Sequence, residues 1–157
     1  MQLYKYSILI ARPREAVFDF FTDVSKAPLW RQYVRTMERE DSGPLGVGSR
    51  VRFIIELAGD RIEYHLTVLA FERPSLWRHR TNETDFGGYI EYRFDEERPG
   101  MTRVTFSCVV TPRSILGWLA MPQLWLTRNR SYRDQLPQLK RVLEEDDEGR
   151  IASLRGR

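Results

Sequence analysis

The sequence predicts an α+β domain in which an antiparallel sheet is closed by one long C-terminal helix. Three observations predict it. A strand-like opening is followed by two short helical segments. The hydrophobic period then changes from 3.6 to 2 and holds through five half-apolar segments. Finally, a long period-3.6 stripe near the C-terminus supplies the cover that the apolar side of such a sheet needs.

Each element has its own signal. "YKYSILIA" alternates as a first strand. In "RPREAVFDFFTD", Pro13 stands at a helix start and Ala16, Val17, Phe20 and Phe21 fall at helical spacing. "VSKAPLWRQY" reads as a second short helical turn with Ser25 as its cap. "VRTMERED" is a weaker strand. "RVRFIIEL" places Val51, Phe53, Ile55 and Leu57 on one face, and Gly59-Asp60 offers a hairpin turn. "RIEYHLTVLAF" then aligns Ile62, Tyr64, Leu66 and Val68. "SLWRHRT" sets Trp77, His79 and Thr81 against Leu76, Arg78 and Arg80. "GYIEYRF" presents Ile90, Tyr92 and Phe94. After a turn at Pro99-Gly100, "TRVTFSCVV" presents Val104, Phe106, Cys108 and Val110. The opposite-face charges Arg52, Glu56, Glu63, Glu91, Arg93 and Arg103 suit cross-strand pairs on a solvated surface.

The C-terminal stripe runs through Trp118, Met121, Trp125, Arg128, Tyr132, Leu136, Leu139 and Leu143. Pro122 and Pro137 interrupt it, each a kink or, for Pro122, a helix start. Within it, "LGWLAMPQLWL" at residues 116–126 is apolar nearly all round. Leu119, Leu124 and Leu126 fall off the stripe, to be covered by the loops near Gly43 and Phe86, or else exposed as a dimer or membrane-surface contact.

Composition narrows the function classes. A chain of 157 residues suits one domain, here residues 1–146 with a flexible tail at 147–157. A formal net charge of +3 is a weak argument for nucleic acid, and no DNA partner is expected. The basic cluster from Arg128 to Arg141 is followed at once by the acidic run Glu144 to Glu148. One cysteine and two histidines leave no internal disulfide and no multi-histidine metal site, so neither metal nor cofactor is expected. Neither a signal peptide nor a membrane span of about 20 apolar residues stands out, so a cytoplasmic protein without stable membrane insertion is expected.

Several motifs in order resemble a known superfamily. "ARPREAVFDFFTDVSKAPLW", "GPLGVGSRVRF", "FERPSLWRHR", "GGYIEYRFDEERPGMTRVTF" and "LPQLKRVLEE" resemble the START-like, or SRPBCC, superfamily and its polyketide cyclase/dehydrase-like branch, over about residues 5 to 146. The resemblance implies the helix-grip (Bet v-like) fold: a curved antiparallel sheet of six to seven strands around a long C-terminal helix, with a cavity between them. Members bind sterols, lipids, polyketides or quinones; some are aromatases or cyclases, and others contact ribosomes or chaperones.

The expected cavity wall is Phe53, Tyr64, Leu66, Trp77, His79, Tyr92, Phe94, Phe106, Met121, Trp125, Arg128 and Tyr132. Aromatic and methionine side chains suit such a wall because they bury large area and adapt in shape. Arg128 needs water, an acidic partner such as Asp134, or an anionic or carbonyl-bearing ligand. His79 is the one candidate base, neutral and able to accept a proton if it faces Arg128. No Asp or Glu falls on an apolar strand face, which leaves paired-carboxylate chemistry without a home. "GVGSRV" leads into a strand and lacks a third glycine, so it is no dinucleotide site. The first expectation is therefore binding of a hydrophobic small molecule: a lipid, polyketide or aromatic metabolite. The alternatives are a cyclase or aromatase using His79 and Arg128, or an interaction module whose basic helix meets RNA, ribosome or membrane. A homodimer is a further expectation.

Overall fold

The computed structural model describes residues 1–57, 59–82 and 86–155; the side chains of Leu57, Thr127 and 146–155 lie outside the description. The chain forms β1 (Gln2–Ile10), α1 (Arg14–Thr22), a 3-10 turn (Val24–Lys26), α2 (Ala27–Trp30), then β2 (Val34–Arg39), β3 (Arg50–Leu57), β4 (Asp60–Glu72), β5 (Leu76–Thr81), β6 (Phe86–Arg98) and β7 (Met101–Pro112), and ends in α3 (Ile115–Arg155). The seven strands make one antiparallel sheet in the order β1-β7-β6-β5-β4-β3-β2, so β2 to β7 meander and β1 closes on β7. This is the helix-grip architecture.

Strand pairing follows the hydrophobic alternation. Val51 faces Leu66, Phe53 faces Tyr64, Trp77 faces Tyr92 and Phe106 faces both Tyr6 and Tyr92 across their ladders. A bulge between Val68 and Ala70 resets the phase of β4, which is why Val68 pairs with His79 while Phe71 pairs with Trp77. Leu57 pairs with Asp60, so Asp60 opens β4 rather than sitting in the turn, and Gly59 supplies the positive φ that the tight turn needs. Ala58, the turn's other residue, lies outside the described residues. At Gly88 a Cβ would stand 2.0 Å from the Val109 carbonyl oxygen, so any side chain there collides with β7. On the outer face Glu38 and Glu63 flank Arg52, Arg35 reaches Glu56 at 3.0 Å, Glu91 receives both Arg78 and Arg93, and Arg103 lies 3.0 Å from Glu97.

Two local expectations change. The first turn after α1 is capped by Asp23, whose carboxylate accepts from the Ser25 N–H and hydroxyl, so Ser25 is a donor rather than the cap. In α1 the buried face holds Val17, Phe18 and Phe21, with Phe20 only half covered.

Helix α3 begins before Pro122, at a Ser114 cap whose hydroxyl accepts from Gly117 N at 3.0 Å. It runs alongside β1 in the same direction, tied at four points. Tyr4 donates to the Leu124 and Trp125 carbonyls at 3.1 and 2.9 Å, and Tyr6 donates to Asn129 Oδ1. Lys140 donates to the Leu9 carbonyl at 2.7 Å, and the Ala11 N–H donates to Glu144 at 2.9 Å. The lengths agree: residues 4 to 11 of a strand span about 23 Å, and residues 125 to 144 of a helix span about 28 Å. Burial pushes the Tyr4 phenol up to about 12, so it stays a donor at any physiological pH.

This placement corrects the helix stripe. Leu136, Leu139 and Leu143 are buried as expected, but in the first turns the buried positions are Gly117 and Met121, with Leu124 partly covered. Trp118 and Trp125 are exposed. The face was illegible because residues 116–126 are apolar nearly all round, and a period is readable only when the other face is polar. The helix continues through Arg155, which leaves the expected tail at 147–157 largely where side chains are not described.

The core contacts predict a contrast in stability. Leu139→Ala empties a fully buried site and should lower unfolding free energy by about 2–5 kcal/mol in urea titrations. Leu119→Ala, on the same helix but exposed, should stay within about 0.5 kcal/mol of the parent. Equal losses would mean that the burial pattern of α3 is wrong.

Candidate functional site

Helix α3 packs chiefly on β1 and β7, α1 on β6 and β7, and α2 on β2 and α3. The inner face of β3, β4 and β5 is left between these covers, and a cavity of about 720 Å³ fills the gap. Pockets of about 300–1,000 Å³ are the usual size for small-molecule sites. Its sheet wall is apolar and aromatic: Phe53, Ile55, Ile62 and Tyr64, with the Phe53 and Tyr64 rings stacked 5.4 Å apart. Its helix wall is polar, because Arg128, Ser131, Gln135 and Gln138 recur at helical spacing along α3. Trp30, Arg31, His79 and Tyr92 meet at the wall between them. The Tyr92 hydroxyl donates to Gln135 Oε1 at 3.0 Å, which joins the two walls.

Arg31 is the distinctive charge. Its guanidinium lies 4.5 Å from the centroid of the Trp30 ring, 5.7 Å from Phe21 and 5.9 Å from Tyr92. Such ring faces attract a cation without neutralising it. Its Nε is buried with no hydrogen-bond partner among the described residues, and the same holds for Nε1 of the adjacent, fully buried Trp30. Two neighbouring donors on one cavity wall are thus unsatisfied, a condition that costs about 1–3 kcal/mol for each.

His79 is fully buried, and its ring meets Trp77 Nε1 at 2.8 Å through Nδ1. An indole N–H only donates, so Nδ1 is the acceptor and the neutral ring carries its proton on Nε2. Burial and then the nearby Arg31 charge bring the His79 pKa down to about 3. The imidazole is therefore a neutral donor over the whole physiological range, and its one basic nitrogen is taken. The cation responsible is Arg31 rather than the expected Arg128.

The expected wall residues divide. Phe53, Tyr64, His79, Tyr92, Arg128 and Tyr132 line the cavity. Leu66, Trp77, Phe94 and Phe106 are buried in the core behind the wall, the three aromatic ones packed ring on ring with Phe71, Phe18 and Tyr92. Met121 is buried nearer the start of α3, and Trp125 turns outward because β1 holds the opposite side of that turn. Asp134 pairs with Arg130 at 3.9 Å at the solvent edge, not with Arg128. Arg31, Trp30, Gln135 and Gln138 were not anticipated. "APLWRQY" held the signal, an arginine directly after an inward tryptophan, but a short helix has no long period from which to read its facing. Among the described residues no group of three His, Cys, Asp or Glu is disposed to hold a metal ion.

Comparison with solved structures gives the same architecture at low sequence identity. The chain superimposes on TTHA0849 from Thermus thermophilus with a TM-score of 0.72 and 16% identity, covering 90% of this chain and 97% of that one. Zhui aromatase/cyclase from a Streptomyces species gives 0.71 and 17%, covering 90% and 92%. The di-domain ARO/CYC BexL of the BE-7585A biosynthetic pathway gives 0.72 and 13%, this chain spanning 90% of its own length and 46% of that protein. Comparison with curated protein sequences finds no significant match. A sequence model described as "Polyketide cyclase / dehydrase and lipid transport" matches residues 1–144. The chain belongs to that polyketide cyclase/dehydrase family, on the helix-grip fold.

Proposed function

We propose that the cavity binds a hydrophobic small molecule whose acidic or carbonyl group is received by Arg31. The observation that carries this reading is the pair of unsatisfied donors, Arg31 Nε and Trp30 Nε1, on the wall of a cavity otherwise faced by aromatic and aliphatic side chains. A ligand oxygen there would satisfy a donor that is buried without a partner among the described residues, and its apolar body would cover Phe53, Ile55 and Tyr64. The side-chain amides of Gln135 and Gln138 offer further donors along the helix wall. The ligand class is then an amphiphile with one oxygen-rich end: a fatty acid, a polyketide or an aromatic carboxylate. Binding without turnover is favoured over the cyclase alternative because His79 has no free basic nitrogen and the carboxylate on the wall, Asp134, is half in solvent beside Arg130.

Charge-assisted hydrogen bonds are worth about 1.5–3 kcal/mol. Arg31→Gln should therefore weaken binding of a carboxylate-bearing probe such as a naphthoic or long-chain fatty acid by about 10- to 150-fold in titration calorimetry. The corresponding primary alcohol should lose far less. Equal affinity of parent and variant for the acid would sink the assignment of Arg31.

The state of His79 has its own signature. An unfolded chain binds a proton at the ordinary histidine value near 6.5, whereas the folded ring does so only near 3. Between those values the unfolded state holds more protons, so stability from this group is full above 6.5 and falls as pH is lowered, by about 1.4 kcal/mol per unit. His79→Gln keeps an acceptor for Trp77 and should flatten the slope of unfolding free energy against pH between 6.5 and 4. A variant with the parent's slope would show that His79 is already charged in the fold.

A further inference from the structure

The outward face of α3 is apolar where a helix on a solvated domain is ordinarily polar. Ile115, Leu116, Trp118, Leu119 and Leu126 are exposed, Leu119 at 74% and Trp118 at 59%. Ile115, Leu119, Pro122 and Leu126 recur at i, i+4, i+7 and i+11, and the same line continues to Arg130 and Arg133, both exposed. The helix thus carries two apolar sides over its first three turns. One, through Met121 and Leu124, packs against the core; the other is exposed among the described residues.

Charge says what covers it. No Asp or Glu occurs between Glu97 and Asp134, while Arg113, Arg130 and Arg133 flank the apolar surface. A second copy docked two-fold through this face would set those arginines against their own equivalents, with Asp134, already engaged by Arg130, as the carboxylate beside them. An anionic surface that also accepts apolar side chains is complementary to both features. Tryptophan beside leucine with basic residues at the flank is the composition of helices that lie in a membrane interface. Among the described residues no helix is long and apolar enough to cross a membrane, so the contact is one of lying on the surface.

We infer that the first turns of α3 dock the domain on an anionic lipid bilayer, with Trp118, Leu119 and Leu126 entering the interface and Arg113, Arg130 and Arg133 meeting lipid phosphates. The position has a consequence for the cavity. A small groove lined by Leu3, Phe86, Val110, Arg113 and Leu124 lies beside this face, and Arg128 and Tyr132 border both the groove and the main cavity. Docking therefore sets one end of the cavity close to the lipid headgroups.

Co-sedimentation with large unilamellar vesicles tests it. The parent should bind vesicles of equal parts phosphatidylcholine and phosphatidylglycerol, with a blue shift of tryptophan emission. It should bind pure phosphatidylcholine at least tenfold more weakly. Leu119→Ser with Leu126→Ser should reduce binding at least tenfold while circular dichroism stays that of the parent, since both residues are exposed. Arg130→Glu with Arg133→Glu should reduce binding to the anionic vesicles alone, and about 0.5 M salt should weaken it in the parent. Absence of binding to anionic vesicles, or binding indifferent to both double variants, overturns the inference. So does a concentration-dependent dimer in sedimentation velocity that Leu119→Ser with Leu126→Ser abolishes, since that would assign the face to a second copy.

Discussion

The sheet is wider than the helix that grips it, and the rest of the molecule depends on that mismatch. Seven strands at about 4.8 Å spacing span close to 30 Å, whereas one helix with its side chains covers about 10–12 Å. Helix α3 is held at one side by three ties to β1 and one to Ala11 just after it, so it cannot also cover β3 and β4. The short helices α1 and α2 close part of the remainder. What is left uncovered is an aromatic wall facing a polar helix stripe. The cavity is a consequence of where β1 holds the helix.

The same constraint sorts the polar groups. On the outer face most charges meet in water, where each pair contributes little to stability. The exception is Glu91, which is buried under Arg78 and Arg93 rather than solvated as expected. Inside, polarity is resolved by burial and by direction of donation. Tyr4 and Tyr6 spend their hydroxyls on α3, Tyr92 spends its own on Gln135, and Trp77 satisfies its N–H on His79. Against that background, of the buried donors left without an acceptor among the described residues, Trp30 Nε1 and Arg31 Nε are the two on the cavity wall. Native structures rarely leave such groups orphaned, and a site that receives a ligand oxygen is one physical reason to do so.

Arg31 and His79 also shape each other. The cation that would hold an anionic ligand is the charge that, after burial itself, keeps the imidazole neutral. The cavity wall thus carries arginines, Arg31 and Arg128 among them, beside an imidazole held neutral. The family's description names both cyclase/dehydrase activity and lipid transport, so this local chemistry carries more weight than the architecture.

Much was determined by sequence alone. Alternation in "RVRFIIEL", "SLWRHRT" and "TRVTFSCVV", broken only by Ile54, Leu76 and Val109, assigned the inner face of the sheet, because a strand's side chains must alternate whatever it pairs with. Leu136, Leu139 and Leu143 were equally legible, since charged residues mark the other side of that part of the helix. Tertiary structure alone decided the rest. It turned Trp118 and Trp125 outward, brought Arg31 beneath three aromatic rings, and separated wall residues such as Tyr64 from core residues such as Phe106. Periodicity is a one-dimensional signal that tells which side of an element is apolar. It does not tell how far a neighbouring element reaches across that side, and that reach divides a filled core from an open cavity.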